Sequence, residues 1–122
     1  MYLVSIETKE KALIAARAAE DKKAEDVKLL NVNDLTIIAD YFVICSGNSE
    51  PQIKAISDNI EEELEKSGLK VQRRAGNQES RWILLDYADV IVHVFHKNKR
   101  KYYDIESLWA DAEEILKGKE VK

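Results

Sequence analysis

A single cysteine excludes two kinds of protein at once. With only Cys45 in 122 residues, no intramolecular disulfide can form and no Cys-x-x-Cys pair offers a zinc site. Such a chain suits a reducing compartment. Positive charge is in deficit as well: 19 Lys and Arg stand against 23 Asp and Glu, a formal net charge of −4. Proteins that coat nucleic acid rely on a cationic surface, so this balance argues against that class and favours a basic partner. Long apolar runs are missing too. None approaches the roughly 20 residues that span a bilayer, and the opening "MYLVSIETKE" lacks the basic and apolar regions of a signal peptide. A cytoplasmic protein with no membrane association is expected, and an organelle copy stripped of a transit peptide meets the same description. What is present is ordinary for a soluble domain. Hydrophobic residues at 45% and charged ones at 34% fit one compact domain over residues 1–122, broken by neither repeat nor linker.

Periodicity supplies the elements. Ser5 to about Asp21 is rich in Ala, Lys and Glu, with Ile6, Leu13 and Ile14 on one side of an expected helix. "VKLLNV" (Val27–Val32) and "YFVICSG" (Tyr41–Gly47) are runs of branched and aromatic residues bounded by Asn, Asp and Gly, and both read as strands. Between them "NDLTIIAD" reads as a partly buried connection. The next helix carries the clearest signals. Ser49 and Gln52 form an S-x-x-Q capping box, Glu50 and Pro51 suit a first turn, and Ile53, Ile56, Ile60 and Leu64 line one face before Gly68. Its opposite side, Asp58, Glu61, Glu62 and Glu65, reads as a solvated face. Three further strands are expected in "LKVQRR" (Leu69–Arg74), "RWILLDY" (Arg81–Tyr87) and "VIVHVF" (Val90–Phe95). Only "AD" separates the last two, which predicts a tight antiparallel hairpin. A short helix around Ile105–Trp109 and a frayed tail at 117–122 complete the chain. This order implies an α/β fold with a mixed β-sheet of about five strands flanked by helices.

Chemistry is then tested residue by residue. "VIVHVF" is apolar on both sides, the mark of a central strand, and its alternation sends His93 and His96 to opposite faces, where they cannot share one metal. His93 reads first as a hydrogen-bonded, half-buried histidine. Asp86 and Asp89 flank the hairpin turn, where Asp commonly satisfies backbone donors. Metal-dependent nucleotidyl transfer needs two carboxylates on one strand face at i, i+2, whereas "DYAD" offers i, i+3 across a turn. "SGNS" is no phosphate-binding loop of the G-x-x-x-x-G-K-[ST] kind. Cys45, in an apolar strand with no assignable base, reads as a core residue. With catalysis demoted, Trp82, Tyr87, Tyr102, Tyr103 and Trp109 remain as large amphipathic side chains of the type enriched at interfaces, with Asp86, Asp89 and Glu79 near the first two.

Several blocks together carry more than any of them alone. "KKAEDVKLLNV", "IADYFVICSGNS", "QIKAISDNIEEEL", "RWILLDYADVIVHVFH" and "YYDIESLW" resemble the ribosomal silencing factor family, RsfS or Iojap, from about Ala15 to Trp109 and in the family's order. The resemblance implies a nucleotidyltransferase-like α/β sandwich that generally lacks the catalytic residues, with no enzymatic activity and no cofactor. It implies binding to the large ribosomal subunit through ribosomal protein fourteen of that subunit, a steric block to subunit joining, repression of translation when nutrients are short, and a homodimer when free. Organelle relatives act in ribosome assembly. By position, the family motif takes in Asp40, Tyr41, Ser46, Gly47, Asn48, Trp82, Asp86, Tyr87, Asp89, His93 and Phe95. Partner contact is expected at Trp82, Asp86, Tyr87, Asp89 and His93, with Gly47 serving the turn into the second helix and Asp40 bracing a turn. The basic run "HKNKRK" adds a peripheral rRNA contact to the expectations. Two other readings stand beside this one: an assembly factor for the same subunit, and a nucleotide-binding or nucleotidyltransferase-like enzyme on the same fold.

Overall fold

The capping signals at Ser49 mark the helix start correctly, with one bond of the box displaced by a residue. In the computed structural model, which describes residues 8–116, helix α2 (Glu50–Lys66) begins where the Ser49 hydroxyl accepts a bond from the Gln52 amide at 3.1 Å. The Gln52 side chain reaches back one residue further than a standard capping box and accepts from the Asn48 amide at 2.6 Å. Ile53, Ile56, Ile60 and Leu64 are all buried, so the face chosen by periodicity is the one that packs. Gly47 sits just before this helix, and a Cβ there would lie only 3.0 Å from the Ile53 side chain. Its value lies in close approach between strand and helix.

Helix α1 (Thr8–Asp21) packs beside α2 through a different surface from the one expected. Ala12, Ala15, Ala16 and Ala19 are fully buried, whereas Leu13 and Ile14 are only partly so; Ile6 lies outside the described residues. Alanine lets two helices and a sheet approach closely, which a row of larger side chains would prevent. The Asn59 side chain fastens the pair by donating to the Ala18 carbonyl at 2.9 Å.

Both helices lie on one face of a mixed sheet. Among the described residues it has six strands, β1 (Glu25–Asn31), β2 (Tyr41–Gly47), β3 (Arg73–Asn77), β4 (Trp82–Asp86), β5 (Val90–His96) and β6 (Glu113–Leu116), in the order β3-β4-β5-β2-β1-β6. β2 and β5 run parallel at the centre and every other pair is antiparallel. The expected five strands thus gain a sixth: "EEIL" pairs with the edge of β1, and tertiary pairing overrides helix propensity there. β3 starts four residues later than "LKVQRR" suggested. Its register is set by the turn after Asn77, where Ser80 and Asn77 exchange bonds, and by Gly76, whose φ of +77° and 2.1 Å virtual contact with the Trp82 carbonyl exclude any side chain. The β4–β5 hairpin is as tight as predicted, with the Tyr87 amide donating to the Val90 carbonyl and only Ala88 and Asp89 between them.

Two core regions follow from the alternation of the strands. Val27, Leu29, Val43, Cys45, Ile83, Leu85, Val92 and Val94 meet α1 and α2. On the opposite face Leu30, Val32, Phe42, Ile44 and Phe95 form a smaller cluster. That cluster is covered at one side by short elements, α3 (Lys97–Tyr103) and α4 (Ile105–Leu108), with Ile105, Trp109 and Ala112 packed on it. The connection at 33–40 is partly buried as expected, but through Ala39 and not through its larger apolar side chains: Ile37 is fully exposed, as are Leu35 and Ile38 in large part, and the loop is held by polar bonds including Asn33 to Asp40. Asp40 does brace a turn.

Candidate functional site

Alternation along β4 and β5 builds the site. Trp82, Leu84 and Asp86 point away from the two long helices, and so do Ile91, His93 and Phe95 on the neighbouring strand. Across this face the Trp82 ring stacks on Phe95 at 4.9 Å, tilts against Tyr103 at 4.9 Å and lies 6.0 Å from His93. Phe42 from β2 meets His93 edge-on at 5.3 Å and Trp109 edge-on at 5.1 Å. The result is one continuous aromatic cluster across three strands and the C-terminal segment. Trp82 remains only half-buried, and beside it Ala75, Gly76, Ser80, Leu84 and Tyr103 close a shallow cavity of about 240 Å³.

The polar groups of this face are few and specific. Trp82 Nε1–H donates to His93 Nδ1 at 3.4 Å, which leaves the His93 proton on Nε2. His93 is 7% exposed, and burial pushes its pKa down to about 4, so the ring is neutral at physiological pH. Asp86 is partly exposed at the edge of the face; one of its oxygens accepts from the Ala88 amide at 2.8 Å and supports a residue with φ of +72°. Turn chemistry accounts for that oxygen, and no donor to the second is found among the described residues.

The five expected contact residues therefore do not share one surface. Trp82, Asp86 and His93 do. Tyr87 points to the helix side, 4% exposed, where burial raises its phenol well above the usual range. Asp89 faces α1: its carboxylate accepts from Thr8 and receives both bonds of Lys11 at 2.8 Å. Phe42 and Leu84 join the face although sequence reasoning did not single them out; their places in the alternation of "YFVICSG" and "RWILLDY" were the available signal. The cysteine is inert by environment, with burial pushing the Cys45 thiol up to about 12. His96 points away from His93, as strand alternation requires, and its ring accepts from the Asn98 amide to cap α3.

A second polar cluster anchors the C-terminal segment. Arg100, 8% exposed, donates to the buried Ser46 hydroxyl at 2.7 Å and grips the Glu106 carboxylate with two nitrogens at 3.1 and 2.9 Å. Burial alone would raise the Glu106 pKa, but the bonds from Arg100 and the nearby Lys28 outweigh it and hold the carboxyl below its ordinary value. This cluster fastens α3 and α4 to the end of β2.

Fold and site together define a mixed-sheet α/β domain whose distinctive side chains converge on a sheet face and not in a deep cleft. The RsfS family model, described as ribosomal silencing factor during starvation, matches residues 5–122. The chain belongs to that family. It is 48% identical over 99 residues to ribosomal silencing factor RsfS of Bacillus subtilis, covering 81% of this chain and 84% of that one. It is 36% identical over 104 residues to the chloroplastic protein Iojap of Arabidopsis thaliana, across 85% of this chain and 43% of that protein. A crystal structure of a protein from Chromobacterium violaceum superposes with a TM-score of 0.83 at 33% identity, covering 86% of this chain and 88% of the other.

Proposed function

We propose that this protein is a non-enzymatic repressor that binds the large ribosomal subunit through ribosomal protein fourteen and keeps the small subunit from joining. The observation that carries the reading is the half-open aromatic face around Trp82, which the two long helices leave uncovered. Large amphipathic rings backed by a packed core are what the centre of a protein interface uses. Trp82 supplies the anchor, His93 holds its indole in place, and Asp86 places a carboxylate at the rim for a basic ribosomal protein. Tyr87 and Asp89 serve the contact indirectly, by fixing the hairpin that presents Trp82 and Asp86. An interface of roughly 800 Å² per partner is enough to obstruct a second docking surface. When free, two copies cover the same face as a homodimer, and the site of action is the cytoplasmic ribosome.

The test is sedimentation with isolated large subunits, small subunits and joined ribosomes, followed by addition of small subunits to preloaded large ones. Selective capture by the large subunit with failed joining is expected. Trp82→Ala is expected to stay folded and to weaken capture at least about 30-fold, the effect of losing a contact worth about 2 kcal/mol. Capture without a joining defect would assign the protein to assembly, and no capture by any particle would end the ribosomal reading.

A further inference from the structure

The chain carries a net charge of −4, yet four cations fall within five residues, Lys97 to Lys101. The structure divides them into two groups. Arg100 is turned inward and saturated by Ser46 and Glu106. Lys97, Lys99 and Lys101 are at least partly exposed, and no ion pair to any of the three forms among the described residues. Lys99 Nζ lies 5.4 Å from the Tyr102 ring centre and 5.9 Å from that of Tyr103. Tyr102 is 76% exposed, and Tyr103 is the residue that leans on Trp82. The basic turn is thus continuous with the aromatic face. The neighbouring carboxylates form no ion pair with it among the described residues: Glu106 is taken by Arg100 and Lys28, Asp104 accepts from Ser107, and Glu25 and Asp26 line the same open cleft as Lys97 and Lys101 without pairing with them.

We infer that Lys97, Lys99 and Lys101 form a phosphate-binding ridge that contacts RNA backbone beside the protein-docking face, with the exposed Tyr102 ring as a stacking platform. Charge complementarity selects the partner. Within one turn of helix, Lys97 and Lys101 are separated by roughly 6 Å of axial rise, and flexible lysine arms at that separation can address successive phosphates of one strand. A bare aromatic ring beside a lysine ammonium is the pairing by which proteins hold unstacked bases next to phosphates. The inference rests on the ribosomal reading, because a protein docked through Trp82 brings this ridge against whatever surrounds the docking point. It differs from a reading of the basic run as a whole, since Arg100 belongs to the fold and has no share in the contact.

The experiment compares the parent with Lys97→Gln/Lys99→Gln/Lys101→Gln, measuring affinity for isolated large subunits from 50 to 200 mM salt. Three phosphate contacts predict a loss of roughly 20- to 40-fold over that range for their part of the parent's binding. The triple variant is expected to lose most of that dependence and to bind more weakly at low salt. Trp82→Ala should weaken binding at every salt concentration without changing the slope. Equal slopes for parent and triple variant, with capture intact, overturn the ridge and leave the docking face standing. Failure of the parent to be captured overturns the ribosomal reading instead. A third arm uses ribosomal protein fourteen free of RNA: parent and triple variant are expected to bind it alike, and a slope difference that persists there would reassign the lysines to an acidic protein surface and refute the RNA contact.

Discussion

Acid should destabilise this domain through one identifiable group. His93 is neutral in the fold with its pKa depressed to about 4 by burial, against an ordinary value of 6.5. The unfolded chain therefore takes up this proton first as pH falls. Because the unfolded state binds more protons across that interval, the contribution of His93 is fully present above about pH 6.5 and is lost progressively as pH drops toward 4. The span corresponds to about 3 kcal/mol, at a slope of about 1.4 kcal/mol per pH unit. Carboxylates titrate in the same range, so the parent alone is uninformative. His93→Phe keeps a ring between Phe42, Trp82 and Phe95 while removing the titration. Urea unfolding of both proteins at pH 7.5, 6, 5 and 4 isolates the term as their difference. The parent's stability relative to the variant is expected to fall by about 3 kcal/mol between the extremes. Parallel curves would show that the folded imidazole protonates as readily as the unfolded one, and the assignment of a dry, neutral ring would be wrong.

Two other substitutions separate holding the fold from making the contact. Asp89→Asn weakens the bonds from Lys11 and Thr8 and is expected to cost about 1 to 2 kcal/mol in chemical denaturation, with large-subunit affinity unchanged. A drop in affinity beyond what the folded fraction explains, with the hairpin's amide chemical shifts unchanged, would make Asp89 a contact residue after all. Arg100→Met leaves the buried Ser46 hydroxyl without its donor and Glu106 with Lys28 alone, and its thermal unfolding should show a loss of about 3 kcal/mol, partly recovered by adding Glu106→Gln. A single variant that melts like the parent would mean that the C-terminal segment is held without this pair.

Where sequence reading succeeded, the determining interactions are local. The α2 cap, its four buried aliphatic residues and the two-residue β4–β5 loop depend on neighbours within a few positions, and each appears where expected. Where it failed, a distant partner decided the outcome. "EEIL" becomes a strand because β1 offers an unpaired edge more than eighty residues earlier in the chain. "KNKRKYY" forms a helical turn whose sole buried residue is Arg100, held by Ser46 across 54 positions. Nothing within the run announces that one of its four cations is internal. The alanine face of α1 was similarly hidden, since its value lies in the distance to α2 and not in hydrophobicity.

The site shows the same division. Alternation along "RWILLDYADVIVHVF" correctly separates Trp82, Leu84 and Asp86 from Ile83, Leu85 and Tyr87, but it cannot say which set meets the helices. That is settled by topology. α1 and α2 pack together on one face, and the parallel pairing of β2 with β5 puts His93 and Phe42 on the other. Among the described residues, the helices on that side have seven and four residues, too short to cover a six-stranded sheet. An uncovered stretch thus follows from how the described elements are connected. Placing Trp82, Leu84 and Tyr103 there, where polar residues would have solvated the sheet without cost, is the ground for proposing it as a docking face and not merely the outside of a fold.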